Sequence, residues 1–346
     1  MRGQDDEPLW SDAGTWPVGE GIHRIPLPLP GDGLKAVNVY AIEQPDGLVL
    51  IDSGWALGEA RQDLEAALAD LDHDFGSIRR ILVTHVHRDH YELGMHLRRL
   101  FGAQLALGIG EQPALESLRA NVPPEQSPMT MRLLAAGALP LLMQMQERWG
   151  AGGGPKIDWE LPDEWLKDGT SVELDGRTLE VIATPGHTQG HVVFLDRADG
   201  LLFSGDHVLP HITPSIGFEQ IPKRSSLSDY LASLAIVQEL PDVRMLPAHG
   251  PPMATTHARI DELLAHHEDR LALSLGAVSD GASTGYEVAA VLPWTRRNQS
   301  FDDLDVFNRM LAVNETIAHL DVLVERADVT TETLDGVVHY TAGPAA

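Results

Sequence analysis

The chain has 346 residues and no cysteine, which excludes disulfides, thiolate metal sites and cysteine nucleophiles. Acidic residues outnumber basic ones 51 to 25, and the net charge of −26 repels nucleic acid and anionic membrane surfaces unless a local basic patch overrides it. The start, Met1 to Trp10, has no basic region followed by an apolar one, and no apolar run reaches the ~18 residues of a membrane span, so a soluble cytoplasmic protein is expected.

The first twenty residues hold turn formers with Trp10 and Trp16 and read as an N-terminal arm. Short strands are expected at 21–26, 36–43 and 47–52, separated by turns such as Pro45-Asp46-Gly47. A helix over 57–71 places Leu64, Leu68 and Leu71 on one face. Residues 78–84 form an apolar run that ends directly at His85; a helix over 91–101 and a strand over 104–108 follow. Residues 111–162 break this rhythm with several prolines and glycines and a Met-rich helical stretch at 129–149. That stretch is an insertion whose apolar side chains serve ordinary packing, a lid or an oligomer contact, a homodimer included.

Strand alternation resumes at 171–174, 179–183, 191–196 and 200–204, and a helix over 226–240 leads to an apolar segment, 244–247, that ends at His249. Strands and helices in two successive blocks predict an α+β chain: a two-sheet sandwich flanked by helices over 21–258. From Arg259 onward the pattern changes to helices at 260–275, 286–292 and 304–326, then two strands flanking the tight-turn pair Asp335-Gly336. Three helices and a hairpin is the order of a winged helix, expected here as a small domain over 259–346.

The segment Thr84-His85-Val86-His87-Arg88-Asp89-His90 places four potential metal ligands within six residues of a strand end. Imidazole nitrogen and carboxylate oxygen suit zinc, and also iron or manganese. His85 and His87, one residue apart on an extended turn, can converge on one ion; Asp89 and His90 can serve a second. Other strand-like runs deliver single polar groups in the same way, at Asp52, His187, Asp206 and His249. His207 and His211 either approach the same cavity as substrate donors or serve packing, and His191 reads as structural. Lys223-Arg224 is an adjacent basic pair in the loop after Asp206, suited to an anionic substrate tail or to plain surface charge.

On these residues the chain resembles the metallo-β-lactamase superfamily over roughly residues 22–252. Its His-x-His-x-Asp-His signature stands complete at His85, His87, Asp89 and His90. The resemblance implies an αββα sandwich and two divalent ions, one held by His85, His87 and His187 and the other by Asp89, His90 and His249, with Asp206 bridging. It also implies that Asp52 orients a ligand by hydrogen bonding, and that a hydroxide bridged between the two ions attacks the substrate, with Asp89 as the catalytic residue that orients it or takes its proton. Many members carry two glycines shortly after the signature; Glu92-Leu93 stand here before Gly94, which is expected to crowd the helix start.

The order of the C-terminal elements and the segment 204–216 resemble the branch of β-lactamase-like protein 2 type, which carries a C-terminal winged helix. In that branch some members cleave single-stranded RNA and others act on thioesters. Residues 259–346 hold six arginines and no lysine against fifteen acids, the wrong sign for a nucleic-acid module. The expected activity is therefore hydrolysis of a small-molecule ester or thioester. Single-strand-specific RNA cleavage is the alternative, and a non-enzymatic binding protein on the same fold is a third reading that the complete ligand set disfavours.

Overall fold

A computed structural model of the chain describes residues 9–31, 33–120, 122–150, 157–219, 221, 226–295 and 298–343. Its first sheet runs in chain order through β1 (Trp16–Gly19), β2 (Ile22–Pro28), β3 (Ala36–Gln44), β4 (Gly47–Ile51), β5 (Ile78–Val83), β6 (Gln104–Gly108) and β7 (Glu164–Leu166). The pairs are antiparallel as far as β4 and parallel from β4 to β7. Parallel neighbours need long crossovers; α1 (Gly58–Asp70) and α2 (Arg88–Phe101) provide the first two. The third, between β6 and β7, contains α3 (Gln112–Ala120), α4 (Pro128–Ala135) and α5 (Leu139–Trp149).

The second sheet contains β8 (Ser171–Leu174), β9 (Arg177–Ala183), β10 (Val192–Asp196), β11 (Leu201–Gly205) and β12 (Arg244–Pro247), with α6 (Ser226–Gln238) linking the parallel pair β11 and β12. Alternation along the strands explains the layering, because successive side chains leave opposite faces of a strand. In β10, Val192 and Phe194 enter the core between the sheets, while Val193 and Leu195 enter the core under the helices. In β4, Val49 and Ile51 face the inter-sheet core, and Leu48 and Leu50 face α1 and α2. Helices, sheet, sheet and helices form four layers around three apolar clusters.

After β12 come α7 (His257–Ser279), α8 (Gly285–Val291), α9 (Val306–Glu325) and a hairpin of β13 (Val329–Leu334) and β14 (Val337–Ala342), the three helices and two strands the sequence predicts. One apolar cluster joins the outer face of the second sheet to these helices and to the insertion. It contains Leu133 and Leu141, Leu195 and Leu202, Tyr230, Ile260, Val313 and Leu320. Among the described residues no helix is long and apolar enough to cross a membrane.

Several expectations are corrected. Residues 16–19, assigned to an arm, form the edge strand β1, with Val18 buried in the inter-sheet core. The signature helix starts at Arg88, three residues earlier than expected, because His87 already has the extended conformation of an N-cap and its carbonyl accepts from the Tyr91 N–H, 3.0 Å. The Met-rich stretch is two helices: Pro140 in the first turn of α5 cannot continue α4, since it lacks an N–H. Strand β7, three residues long, was not foreseen.

A buried histidine pair links α7 to α9. His267 Nδ1–H donates to His319 Nε2 at 3.1 Å, and His319 Nδ1–H donates to the Glu315 carbonyl at 2.7 Å. Burial lowers the pKa of His319 to about 3 and holds His267 well below the usual imidazole range. The unfolded chain then binds more protons than the folded one below the ordinary value of about 6.5, so this contribution is complete above that pH and is lost as pH falls toward about 3. Unfolding free energies measured between pH 7 and 4 should fall by up to about 1.4 kcal/mol per pH unit for each such histidine. His319→Gln should flatten that slope, and an unchanged slope would contradict the assignment.

Candidate metal centre

Every residue of the site sits at the C-terminal end of a strand or just beyond it. Asp52 follows β4, His85 and His87 follow β5, His187 follows β9, Asp206 follows β11 and His249 follows β12, while Asp89 and His90 occupy the first turn of α2. The sequence allows this convergence at Gly205: a Cβ there would lie 2.7 Å from His191 Nε2 and 2.8 Å from Thr84 Cβ, so only glycine lets the Asp206 turn approach the His85 strand. Asp52 adopts a positive φ of 60°, a conformation held by its side-chain hydrogen bonds.

The outer nitrogens of four histidines are anchored. His90 Nδ1–H donates to Asp52 Oδ2 at 2.9 Å, His187 Nδ1–H to the Ser215 carbonyl at 2.8 Å, and His249 Nδ1–H to the Ala36 carbonyl at 2.8 Å. His85 Nδ1 lies 3.0 Å from Thr84 Oγ1, whose own hydroxyl reaches Asp52. With Nδ1 protonated and anchored, each Nε2 presents a lone pair inward.

The inward atoms form two sets. His85 Nε2 and His187 Nε2 each lie 3.0 Å from His87 Nδ1. The second set joins Asp89, His90 and His249, with Asp89 Oδ2 3.5 Å from His90 Nε2 and 3.4 Å from His249 Nε2. Asp206 stands between them, Oδ2 at 3.5 Å from His187 Nε2 and Oδ1 at 3.3 Å from His249 Nε2.

These donors fit divalent ions. Two anchored lone pairs and His87 Nδ1 share room for at most one proton. Nitrogens about 2.0–2.1 Å from a tetrahedral ion would stand about 3.3 Å apart, close to the spacing found. Among the described residues, buried His90 Nε2, His249 Nε2 and Asp206 Oδ1 have no hydrogen-bond partner, and buried polar atoms of that kind ordinarily have one. Charges without an ion tell the same story. Burial holds His85 well below the usual range and lowers His87 to about 3, leaving both neutral as ligands must be. Burial also opposes charge on His249, but the Asp206 and Asp89 carboxylates outweigh it and hold its pKa up at about 10. Burial opposes ionisation of Asp206, and the His249 and His90 charges overcome it and keep the carboxyl well below its usual range.

All seven expected ligands and Asp52 are thus brought together. Of the other candidates, only His207 and His211 fall among the described residues. His207 is fully buried, its ring between His191 and Tyr230 at centroid distances of 6.1 and 5.3 Å, and burial lowers its pKa to about 3, so it faces the core rather than substrate. His211 is exposed on the segment after β11 and does not join the ligand cluster. Lys223 and Arg224 lie outside the described residues. Glu92 does not crowd the helix start: it pairs with Arg88 at 3.0 Å, while Leu93 enters the apolar cluster under the first sheet.

Sequence reasoning missed several supports. Thr84 donates its N–H to Asp52 Oδ1 at 2.8 Å, and its place at a strand tip was the available signal. His191 accepts the Asp206 N–H on Nε2 at 3.1 Å and contacts Thr184 Oγ1 through Nδ1 at 2.8 Å, so its structural role is to hold the turn that carries Asp206. Asn38 and Tyr40 donate to the Pro247 carbonyl at 2.8 and 2.7 Å and fix the turn that presents His249.

Known proteins resemble the chain in both sequence and fold. The C. elegans β-lactamase-like protein 2 homolog is 37% identical over 106 residues, which span 31% of this chain and only about a third (33%) of that protein. The Haemophilus influenzae hydroxyacylglutathione hydrolase GloC is 31% identical over 184 residues, covering 50% of this chain and 70% of that enzyme. A crystal structure of a metallo-beta-lactamase family protein from Thermus thermophilus superposes with a TM-score of 0.76 at 29% identity, covering 93% of this chain and 99% of that one. The sequence profile of the Metallo-beta-lactamase superfamily matches residues 32–249, and the chain belongs to that superfamily.

Proposed function

We propose that the protein is a dinuclear metal-dependent hydrolase of a small ester or thioester of acyl or hydroxyacyl type, with zinc as the expected metal and iron or manganese as alternatives. The observation that carries the reading is the pair of facing donor sets joined by Asp206, with four imidazoles pre-aimed by anchored Nδ1 atoms. His85, His87 and His187 would hold one ion, Asp89, His90 and His249 the other, and Asp206 both. Divalent ions held there supply a water acidic enough to ionise near neutral pH and a charge that polarises a carbonyl oxygen.

The chain's own residues do the rest. Asp52 holds the His90 ring through Nδ1, and Ser215 and Ala36 do the same for His187 and His249. Asp89 is the more exposed of the two central carboxylates, with 20% side-chain exposure against 9% for Asp206, and is the group placed to orient water or take up its proton. Beside His87 stands Phe218, at 5.8 Å between ring centroids, and against Phe218 stands Phe307 of α9 at 5.9 Å. Phe307 is 43% exposed, an apolar rim suited to an acyl chain. On this reading residues 259–346 form a winged-helix-like unit that lines substrate rather than binding nucleic acid.

The hydroxyacylglutathione hydrolase relative favours a thioester; single-strand RNA cleavage is the second reading, and it rests on the family resemblance of the C-terminal element order and of the segment 204–216 alone. A panel of acyl-thioesters and labelled single-stranded RNA, assayed with and without chelator, separates them. Thioester hydrolysis lost on chelation and restored by metal is expected; metal-dependent RNA cleavage without thioester turnover would replace the reading. Asp89→Ala, brought to full metal content, should lower kcat about 10²–10⁴-fold, and near wild-type turnover would remove the role given to Asp89.

A further inference from the structure

A buried carboxyl outside the ligand set joins the two loops that carry one of the donor sets. Glu111 follows β6, at the first residue of the segment read as an insertion, and its side chain is fully buried. Its Oε1 accepts the Val86 N–H at 3.3 Å, and Val86 stands between His85 and His87. The same oxygen accepts the Thr188 hydroxyl, and Thr188 is the neighbour of His187. One atom therefore ties the turn bearing His85 and His87 to the turn bearing His187.

The backbone is shaped to bring that oxygen in. A Cβ on Gly190 would lie 2.0 Å from the Glu111 nitrogen, and one on Gly110 would lie 2.6 Å from the Gln189 carbonyl oxygen. Glycine at both points lets the Glu111 segment press directly on the His187 loop. Placing a carboxyl here is unfavourable in itself: burial pushes its pKa up to about 7, and among the described residues Oε2 has no hydrogen-bond partner. An apolar side chain would fill the space without that penalty, so the acceptor is what the position uses.

We propose that Glu111 is a positioning residue that sets the spacing of His85, His87 and His187 by bridging their two loops, and so fixes the affinity and geometry of the three-histidine ion site. The proposal rests on the dinuclear reading above. Partners of this kind, one step out from the ligands, typically change metal affinity about 10–100-fold when removed.

The test uses the full chain, with Zn²⁺ titrated against a chromogenic chelator and the visible spectrum of the Co²⁺-loaded protein as a report on coordination geometry. Glu111→Ala should bind one of its two Zn²⁺ at least about tenfold less tightly than wild type binds either, and should alter the Co²⁺ spectrum. Glu111→Gln keeps an acceptor oxygen and should stay near wild type in both. If Glu111→Ala does not fold, Thr188→Val removes one of the two donors and should weaken binding in the same direction. Wild-type affinity and spectrum in a folded Glu111→Ala or in Thr188→Val would overturn the proposal, as would a Glu111→Gln as impaired as Glu111→Ala. A wild-type protein that binds no ion would instead fail the dinuclear reading, an outcome these variants do not share.

Discussion

Three imidazole nitrogens meet at the His85, His87 and His187 set, with His85 Nε2 and His187 Nε2 both within hydrogen-bonding distance of His87 Nδ1. His85 Nε2 and His187 Nε2 face inward as lone pairs because their rings are already protonated and anchored on the far side. At most one proton can be shared among these three nitrogens, and among the described residues His90 Nε2, His249 Nε2 and Asp206 Oδ1 a few ångströms away have no hydrogen-bond partner. Buried polar atoms without partners are destabilising by about 1–3 kcal/mol each. The sandwich tolerates them because five strands, from both sheets, end at one edge and hold the groups from behind. The second sheet presents His187, Asp206 and His249, the first presents Asp52, His85 and His87, and the start of α2 adds Asp89 and His90.

That support explains why the site was so legible in the sequence. Asp52, His85, His187, Asp206 and His249 each come shortly after an apolar or alternating run that marks a strand, and the polar group appears past the point where the run stops. The chemistry of His85–His90 and the tips at Asp52, His187, Asp206 and His249 could therefore be read directly. The four-layer order and the three helices and hairpin after residue 259 could be read by periodicity. Less regular features could not. β7 has three residues, too few to show alternation, and β1 joins the sheet through a bulged register that no local pattern announces.

The anchors were harder still. Ser215 and Ala36 act through backbone carbonyls, which every residue possesses, so their side chains gave no signal. His191 accepts the Asp206 N–H, a contact that depends on a turn that only the fold brings near. Glu111 lay at the edge of a segment set aside as an insertion, and its contacts cross 25 and 77 residues of chain. α4, α5 and the C-terminal helices share one apolar cluster with the second sheet, and α9 carries Phe307 to the ring of Phe218 beside His87. The scaffold around the site thus reaches well past the residues that the superfamily profile matches.

The central claim is that this donor set holds two ions. Elemental analysis of the purified chain after metal loading and removal of excess ion addresses it most directly. The account predicts two equivalents of divalent metal per chain, falling to one when His249 is replaced by alanine, since that change spares the His85, His87 and His187 set. A loaded wild-type protein that retains one equivalent or fewer would contradict it.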